Sequence, residues 1–219
     1  MLPKYKEALD KIANESHDFA NSIKEAFAIV VEVLESKDIE KLKEAKELIK
    51  GNTKKESKID MKAIETLALF SPEAKDLRQV VALIKVNGEF SRIADYVKSQ
   101  INILMHEIIN EDVFGTDGTR VAFYKSTLKA LDHSVALIKA TDGTLSDLIR
   151  EITIEESKCD DFVSILEKNI ITSICANEIE TEFVVARLNS VRKLERISDR
   201  CVNIAKLMKF AIEGGKLKL

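Results

Sequence analysis

Six acidic residues have the type and spacing to hold a metal ion. Glu56 is followed by Asp60, Glu156 by Asp160, and Glu195 by Asp199, each pair one helical turn apart on a single helix face. Glu156 falls in an apolar series, between Ile152 and Cys159, Val163, Leu166 and Ile170, where a hydrophobe is expected. Glu56 interrupts the series between Ile49 and Ile59 in the same way. Carboxylates clustered like this repel one another and are costly to desolvate unless a cation neutralises them. Oxygen donors without a soft ligand suit hard or borderline cations. The competing reading is that these acids lie at the edge of the seam, face water and pair with Arg92, Arg196, Arg200 or Lys158.

Other chemistry finds little support. His17, His106 and His133 are in no E-x-x-H pattern, so a ferritin-like di-iron site is not expected. No G-x-x-x-x-G-K loop is present to cradle phosphate, and no Ser-His-Asp or Cys-His pairing has supporting context, so no catalytic residues are assigned. Cys159, Cys175 and Cys201 each lie within a helical pattern and read as reduced core residues. The lysine-rich stretch from Lys41 to Lys58 is interleaved with Glu40, Glu44 and Glu47 and reads as a solvated helix face.

The elements that position the acids are helices. Only 7 glycines and 2 prolines punctuate 219 residues, and helix-favouring residues dominate. Leu9, Ile12, Phe19, Ile23, Phe27, Val30 and Leu34 predict a first helix at 3-4 spacing. Asp38 is expected to cap a second, with Leu42, Ala45, Ile49, Ala63 and Leu67 on its seam, loosened near Gly51. Ser71 as N-cap and Pro72 as first residue open a third, which runs to about Glu107. The fourth carries Tyr124, Leu128, Leu131, Val135 and Ile138. A capping box of Thr144 and Asp147 opens a fifth, from about Leu145 to Cys175, and the sixth spans about Glu178 to Gly214.

Six helices fall into two halves that repeat. Glu56 to Asp60 recurs as Glu156 to Asp160, offset by 100, and Arg92 to Asp95 recurs as Arg196 to Asp199, offset by 104. The four-residue difference is about one helical turn, so both halves can share one architecture. The expected fold is all-α: two tandem antiparallel three-helix bundles, residues 1–109 and 118–219 with a linker at 110–117, rather than one bundle around a single core. Folding the last two helices about Ala176 brings Glu156, 20 residues before it, level with Glu195 and Asp199, 19 and 23 residues after it.

Composition limits the remaining classes. The net charge of −3 shows none of the basic excess of a nucleic-acid binder. The segment from Met1 to Lys6 is charged at once, so no secretory leader is expected, and no apolar run approaches membrane-spanning length.

The stretch Leu194, Glu195, Arg196, Ile197, Ser198, Asp199, continuing to Asn203, Ile204 and Ala205, resembles the final-helix motif of the PhoU family, L-E-R-I-G-D-x-x-x-N-I-A. The first half is similar to that family from Leu69 to Arg78 and from Arg92 to Asp95. The resemblance covers almost the whole chain. It implies a cytoplasmic regulator of phosphate uptake, working with the phosphate ABC transporter ATPase and a phosphate sensor histidine kinase, dimeric, and peripheral to the membrane through those partners. It also implies a multinuclear iron or zinc cluster on Glu56, Asp60 and Asp95 in one half and on Glu156, Asp160, Glu195 and Asp199 in the other. One position departs from the family pattern: Ser91 stands where a Glu should precede Asp95. Glu89 points elsewhere, with Lys85 or Arg92 as its expected partner. Two other readings use the same residues: a metal-storage helical protein, and a metal-free interaction module.

Overall fold

The computed structural model describes residues 3–110, 118–175 and 181–215, with the side chains of 181–183 left aside. Among these the chain forms seven α-helices and no strand: α1 Pro3–Ser36, α2 Ile39–Leu48, α3 Asn52–Phe70, α4 Ala74–Ile109, α5 Thr119–Leu137, α6 Asp142–Cys175 and α7 Thr181–Glu213. The expected linker, apart from Asn110, and the turn at Ala176 and Asn177 lie outside the described residues.

The second expected helix is two. Gly51 adopts φ +68°, and the chain turns there on tight bonds from Lys50 N–H to Glu47 O and from Asn52 N–H to Ile49 O. A left-handed residue cannot continue a right-handed helix. Asp38 caps α2 as expected, accepting from Glu40 N–H at 3.0 Å. Two other cap assignments shift. Ser71 is the left-handed C-cap of α3 (φ 42°), and Glu73 takes the N-cap of α4, leaving Pro72 in the turn. At α6, Thr144 Oγ1 accepts from Thr141 N–H at 3.1 Å, so Thr144 is the returning arm of the cap and the helix starts earlier, at Asp142.

The helices form two layers. In one, α4 packs on α7, with α3 outside α4 and α6 outside α7. Beneath them α1 packs on α3 and α4, α5 packs on α6 and α7, and α1 touches α5. Each half is thus a three-helix set, with α2 and α3 sharing one position. The expectation of separate cores does not hold: the buried side chains of both halves make one continuous cluster. Phe27 of α1 stacks on Tyr124 of α5 with ring centroids 5.8 Å apart, and both rings are fully buried. Burying such rings against each other contributes more than leaving two apolar faces wet. Cys159 and Cys201 are buried in this core as reduced thiols, but Cys175, near the end of α6, is exposed.

A buried polar cluster also ties the layers. Gln100 of α4 accepts from Tyr124 OH at 2.7 Å and Ser190 Oγ at 2.9 Å, and donates to Ser190 O at 2.8 Å. Close by, Arg120 pairs with Glu107 at 2.7 Å and lies over the Tyr124 ring.

Candidate functional site

In the second half, α6 and α7 run side by side and bring the four expected acids into one electrostatic neighbourhood. Glu156 and Glu195 are half-buried, while Asp160 and Asp199 are exposed. Burial, and then the charges of Asp160 and Asp199, push the Glu156 carboxyl above its usual range. Burial, and then Glu195 and Asp160, push Asp199 up as well, against the opposing pull of Arg200 and Arg196. Carboxylates that raise one another's proton affinity must lie close and under-neutralised.

The cations expected to neutralise them mostly do something else. Lys158 bonds Glu155 at 2.8 Å, and Arg92 and Arg200 both bond Glu89, at 2.8 and 3.1 Å. Glu195 alone gains a partner, Arg192, which it shares with Glu167. Among the described residues, Glu156, Asp160 and Asp199 make no ion pair. Glu155, absent from the sequence reading, is nearly fully buried. Burial works to raise its carboxyl, but Lys158 and the Ser126 hydroxyl at 2.6 Å hold it below the usual range. It is therefore a satisfied structural acid, distinct from its neighbour Glu156.

The first half is built differently around the same scaffold. Glu56 and Asp60 on α3 are half-buried and Asp95 on α4 is exposed. Ser91, the departure from the acidic pattern, is engaged by Asn52 Nδ2 at 3.3 Å to its carbonyl and 3.4 Å to its hydroxyl. Asn87 Nδ2 reaches Asp60 Oδ1 at 3.5 Å. Burial raises the Asp60 carboxyl, the Asn87 contact opposes that, and Glu56 adds to it. Glu56 lies along α4 at Gly88, where a Cβ would stand 3.6 Å from its Oε1. Asn87 sits fully buried in an apolar seam, and its Oδ1 has no hydrogen-bond partner. An orphaned buried oxygen beside two carboxylates is the donor type a hard cation takes.

The donor chemistry of both grooves therefore fits a cation, with Glu156, Asp160, Glu195 and Asp199 in one and Glu56, Asp60 and the Asn87 oxygen in the other. The side chains do not converge as they stand: among the described residues, no group of three His, Cys, Asp or Glu is placed to hold a metal ion. Asp95 is drawn in least. Ser91 faces α3 and Asp95 lies one turn further on the same side, exposed and without an ion pair among the described residues. His17, His106 and His133 belong to neither groove; His106 is exposed and the other two are half-buried.

Comparison with known proteins follows this duplication. A model of the PhoU domain matches residues 17–103 and again residues 123–208. The chain belongs to the PhoU family. One PhoU match holds Glu56, Asp60 and Asp95, and the other holds Glu156, Asp160, Glu195 and Asp199. Among its relatives is a "phosphate-specific transport system accessory protein PhoU homolog" of Deinococcus radiodurans, 21% identical over 95% of this chain and 96% of the relative. The "phosphate-specific transport system accessory protein PhoU" of Edwardsiella tarda is 27% identical over 78% of this chain and 70% of its own. The crystal structure of PhoU from Pseudomonas aeruginosa superposes with a TM-score of 0.86 at 18% identity, covering 96% of this chain and all (100%) of that one. The phosphate transport system regulatory protein PhoU from Streptococcus pneumoniae gives 0.83 at 18% identity, over 98% and 99% of the two chains. These likenesses establish the PhoU fold for both halves.

Proposed function

We propose that this chain is an accessory regulator of phosphate transport, acting through its helix faces and not through catalysis. The observation that carries this reading is the twofold PhoU match over more than half of the chain, with relatives named as phosphate-specific transport accessory proteins. The finer reading is an adaptor, dimeric and cytoplasmic, that restrains phosphate uptake by contacting the ATPase of a phosphate ABC transporter and a phosphate-sensing histidine kinase. Among the described residues no helix is long and apolar enough to cross a membrane, so contact with a transporter would come through such partners.

Iron or zinc in the acidic grooves is part of the same proposal. Glu156, Asp160, Glu195 and Asp199 would hold it in the second half, and Glu56, Asp60 and Asp95 in the first. A bound cation would offset the burial and the repulsion that together raise Glu156 and Asp199. Deleting the gene tests the function. Phosphate uptake and phosphate-starvation genes become deregulated if the reading is right. Unchanged uptake and expression at both high and low phosphate would sink it.

A further inference from the structure

The junction of the two repeats is basic on a chain that is acidic overall. Along α4, Glu89, Arg92, Tyr96 and Ser99 are spaced to share one face, and Lys193, Arg196 and Arg200 share the facing side of α7. Contacts across the seam place these two rows against each other. Arg200 bonds Glu89 at 3.1 Å and also Tyr96, and Lys193 donates to Ser99 Oγ at 2.5 Å. Four cations line this seam; Glu89 pairs with two of them, and Asp199, on the α6 flank, is the other carboxylate that Arg196 and Arg200 reach.

The cations are not equally committed. Glu89, largely buried, fixes Arg92 and Arg200 in place. Lys193 is held by a neutral hydroxyl, so its charge is unanswered. Arg196 is exposed and makes no ion pair or hydrogen bond among the described residues. It lies one turn from both Lys193 and Arg200, roughly 5–6 Å along the helix. Of the neighbouring acids, Asp199 stands toward Asp160 on α6 and is drawn only in part by Arg200 and Arg196, and Asp95 lies on the α3 side of α4.

We propose that this seam binds a small phosphate-type oxyanion, inorganic phosphate or pyrophosphate, with Arg196 as the open guanidinium that takes it between Lys193 and Arg200. Guanidinium groups recognise such anions in a planar, two-pronged way that an ammonium cannot match. The compact spacing favours a small multivalent anion over an extended acidic chain. The choice of phosphate among oxyanions rests on the proposed function; the existence of an oxyanion site rests on the seam alone.

The test is calorimetric titration of the full chain with inorganic phosphate, pyrophosphate and sulfate. Chloride-only buffer and prior chelator treatment ensure that no metal in the acidic grooves can carry the anion. Phosphate or pyrophosphate should bind, more weakly as salt rises. Arg196→Ala should weaken binding about tenfold or more and Arg196→Lys by less, with unfolding midpoints little changed because Arg196 makes no ion pair or hydrogen bond among the described residues. No heat with any anion at millimolar concentration overturns the site, as does equal binding by wild type and Arg196→Ala. Sulfate binding as tightly as phosphate overturns the choice of phosphate and leaves an oxyanion site. If gene deletion deregulates phosphate uptake but the pure protein binds no anion, this inference falls and the functional reading stands. Binding by a protein whose deletion leaves uptake unchanged does the reverse.

Discussion

Glu89 of the first repeat and Arg200 of the second meet at 3.1 Å, and the contact obeys the internal symmetry of the chain. Gln100 with Ser190, and Ser99 with Lys193, continue the same antiparallel register of α4 against α7. Moving an α4 residue forward by the repeat offset of 104, and an α7 residue back by it, exchanges the helices and keeps that register. It places fully buried Ile93 opposite fully buried Ile197, the equivalent residues of the two repeats. The junction is therefore the counterpart of a self-complementary dimer contact, closed within one chain. The fused core follows, since each repeat buries its apolar face on the other.

Arg200→Ala should destabilise the protein by about 1–3 kcal/mol, because it strips one of two guanidiniums from a largely buried carboxylate. Lys43→Ala, which breaks the exposed pair with Glu40, should cost under about 0.5 kcal/mol. Urea unfolding midpoints measured at equal slope compare the two. Equal costs would mean that Glu89 is well solvated.

Gln100→Leu removes the partner of Tyr124 OH and of Ser190 Oγ in a closed interior. Two buried hydroxyls left without their acceptor should cost about 2–4 kcal/mol in denaturant unfolding. A loss below 1 kcal/mol, on the order of a surface change, would show that water reaches the cluster.

Gly51→Ala should cost about 1–2 kcal/mol, since φ is +68° and nothing crowds a new Cβ, which leaves conformational strain as the whole penalty. Unchanged thermal stability would show that α2 and α3 join into one helix without loss.

How much of this was legible in the sequence varies with the physics behind each feature. The α1 seam and the α5 seam are periodic, and periodicity reports burial directly: Ile12, Ile23, Phe27, Leu131 and Val135 are all in the core. The grooves were legible because a Glu at a seam position breaks that period. Ser71 misled because Ser is a favoured N-cap, whereas here it takes the left-handed C-cap conformation usual for Gly or Asn, which only the backbone angles reveal. Asn87 was missed although it occupies a polar slot between buried Val86 and Phe90, the same signal that Glu56 gave, whereas Asn52 lies in a polar helix start that carries no such signal. Glu155 was overlooked because the spacing marks Glu156 as the intruder, and burial of a charge paired by Ser126 and Lys158 leaves no trace in periodicity. Cys175 was read as core from its helix alone, but it lies at the end of α6, exposed.

Asp199→Asn should stabilise the chelator-treated protein at neutral pH. The Asp199 carboxyl is raised in the folded state, so folding favours its protonated form, and the ionised form weakens the fold as pH rises through that raised value. An amide removes this penalty. The gain should fade as the pH falls into and below the ordinary carboxylate range, where the acid is neutral in both states. Thermal melts of both proteins from pH 4 to pH 8, a span set by the reference carboxylate values, test the sign. Destabilisation by Asn at neutral pH would mean that Arg200 and Arg196 outweigh burial together with Glu195 and Asp160.

Metal should load unequally in the two halves. The second groove offers four carboxylates, of which only Glu195 is engaged by a cation among the described residues. The first offers Glu56 and Asp60, with Ser91 occupied by Asn52 and one neutral oxygen, that of Asn87, left over. Fewer charges bind a divalent cation more weakly and also repel less when the groove is empty. Glu195→Gln combined with Asp199→Asn should therefore remove most of the iron or zinc bound by protein purified without chelator. The fold should persist, because both acids stand at the edge of an apolar core. Asn87→Leu should leave that loading nearly intact and lower only the weaker fraction. Metal analysis of the three proteins after dialysis decides the matter. Full loading of the double variant, with loss in Asn87→Leu, would put the stronger site in the first half, where a buried amide oxygen outweighs two further carboxylates.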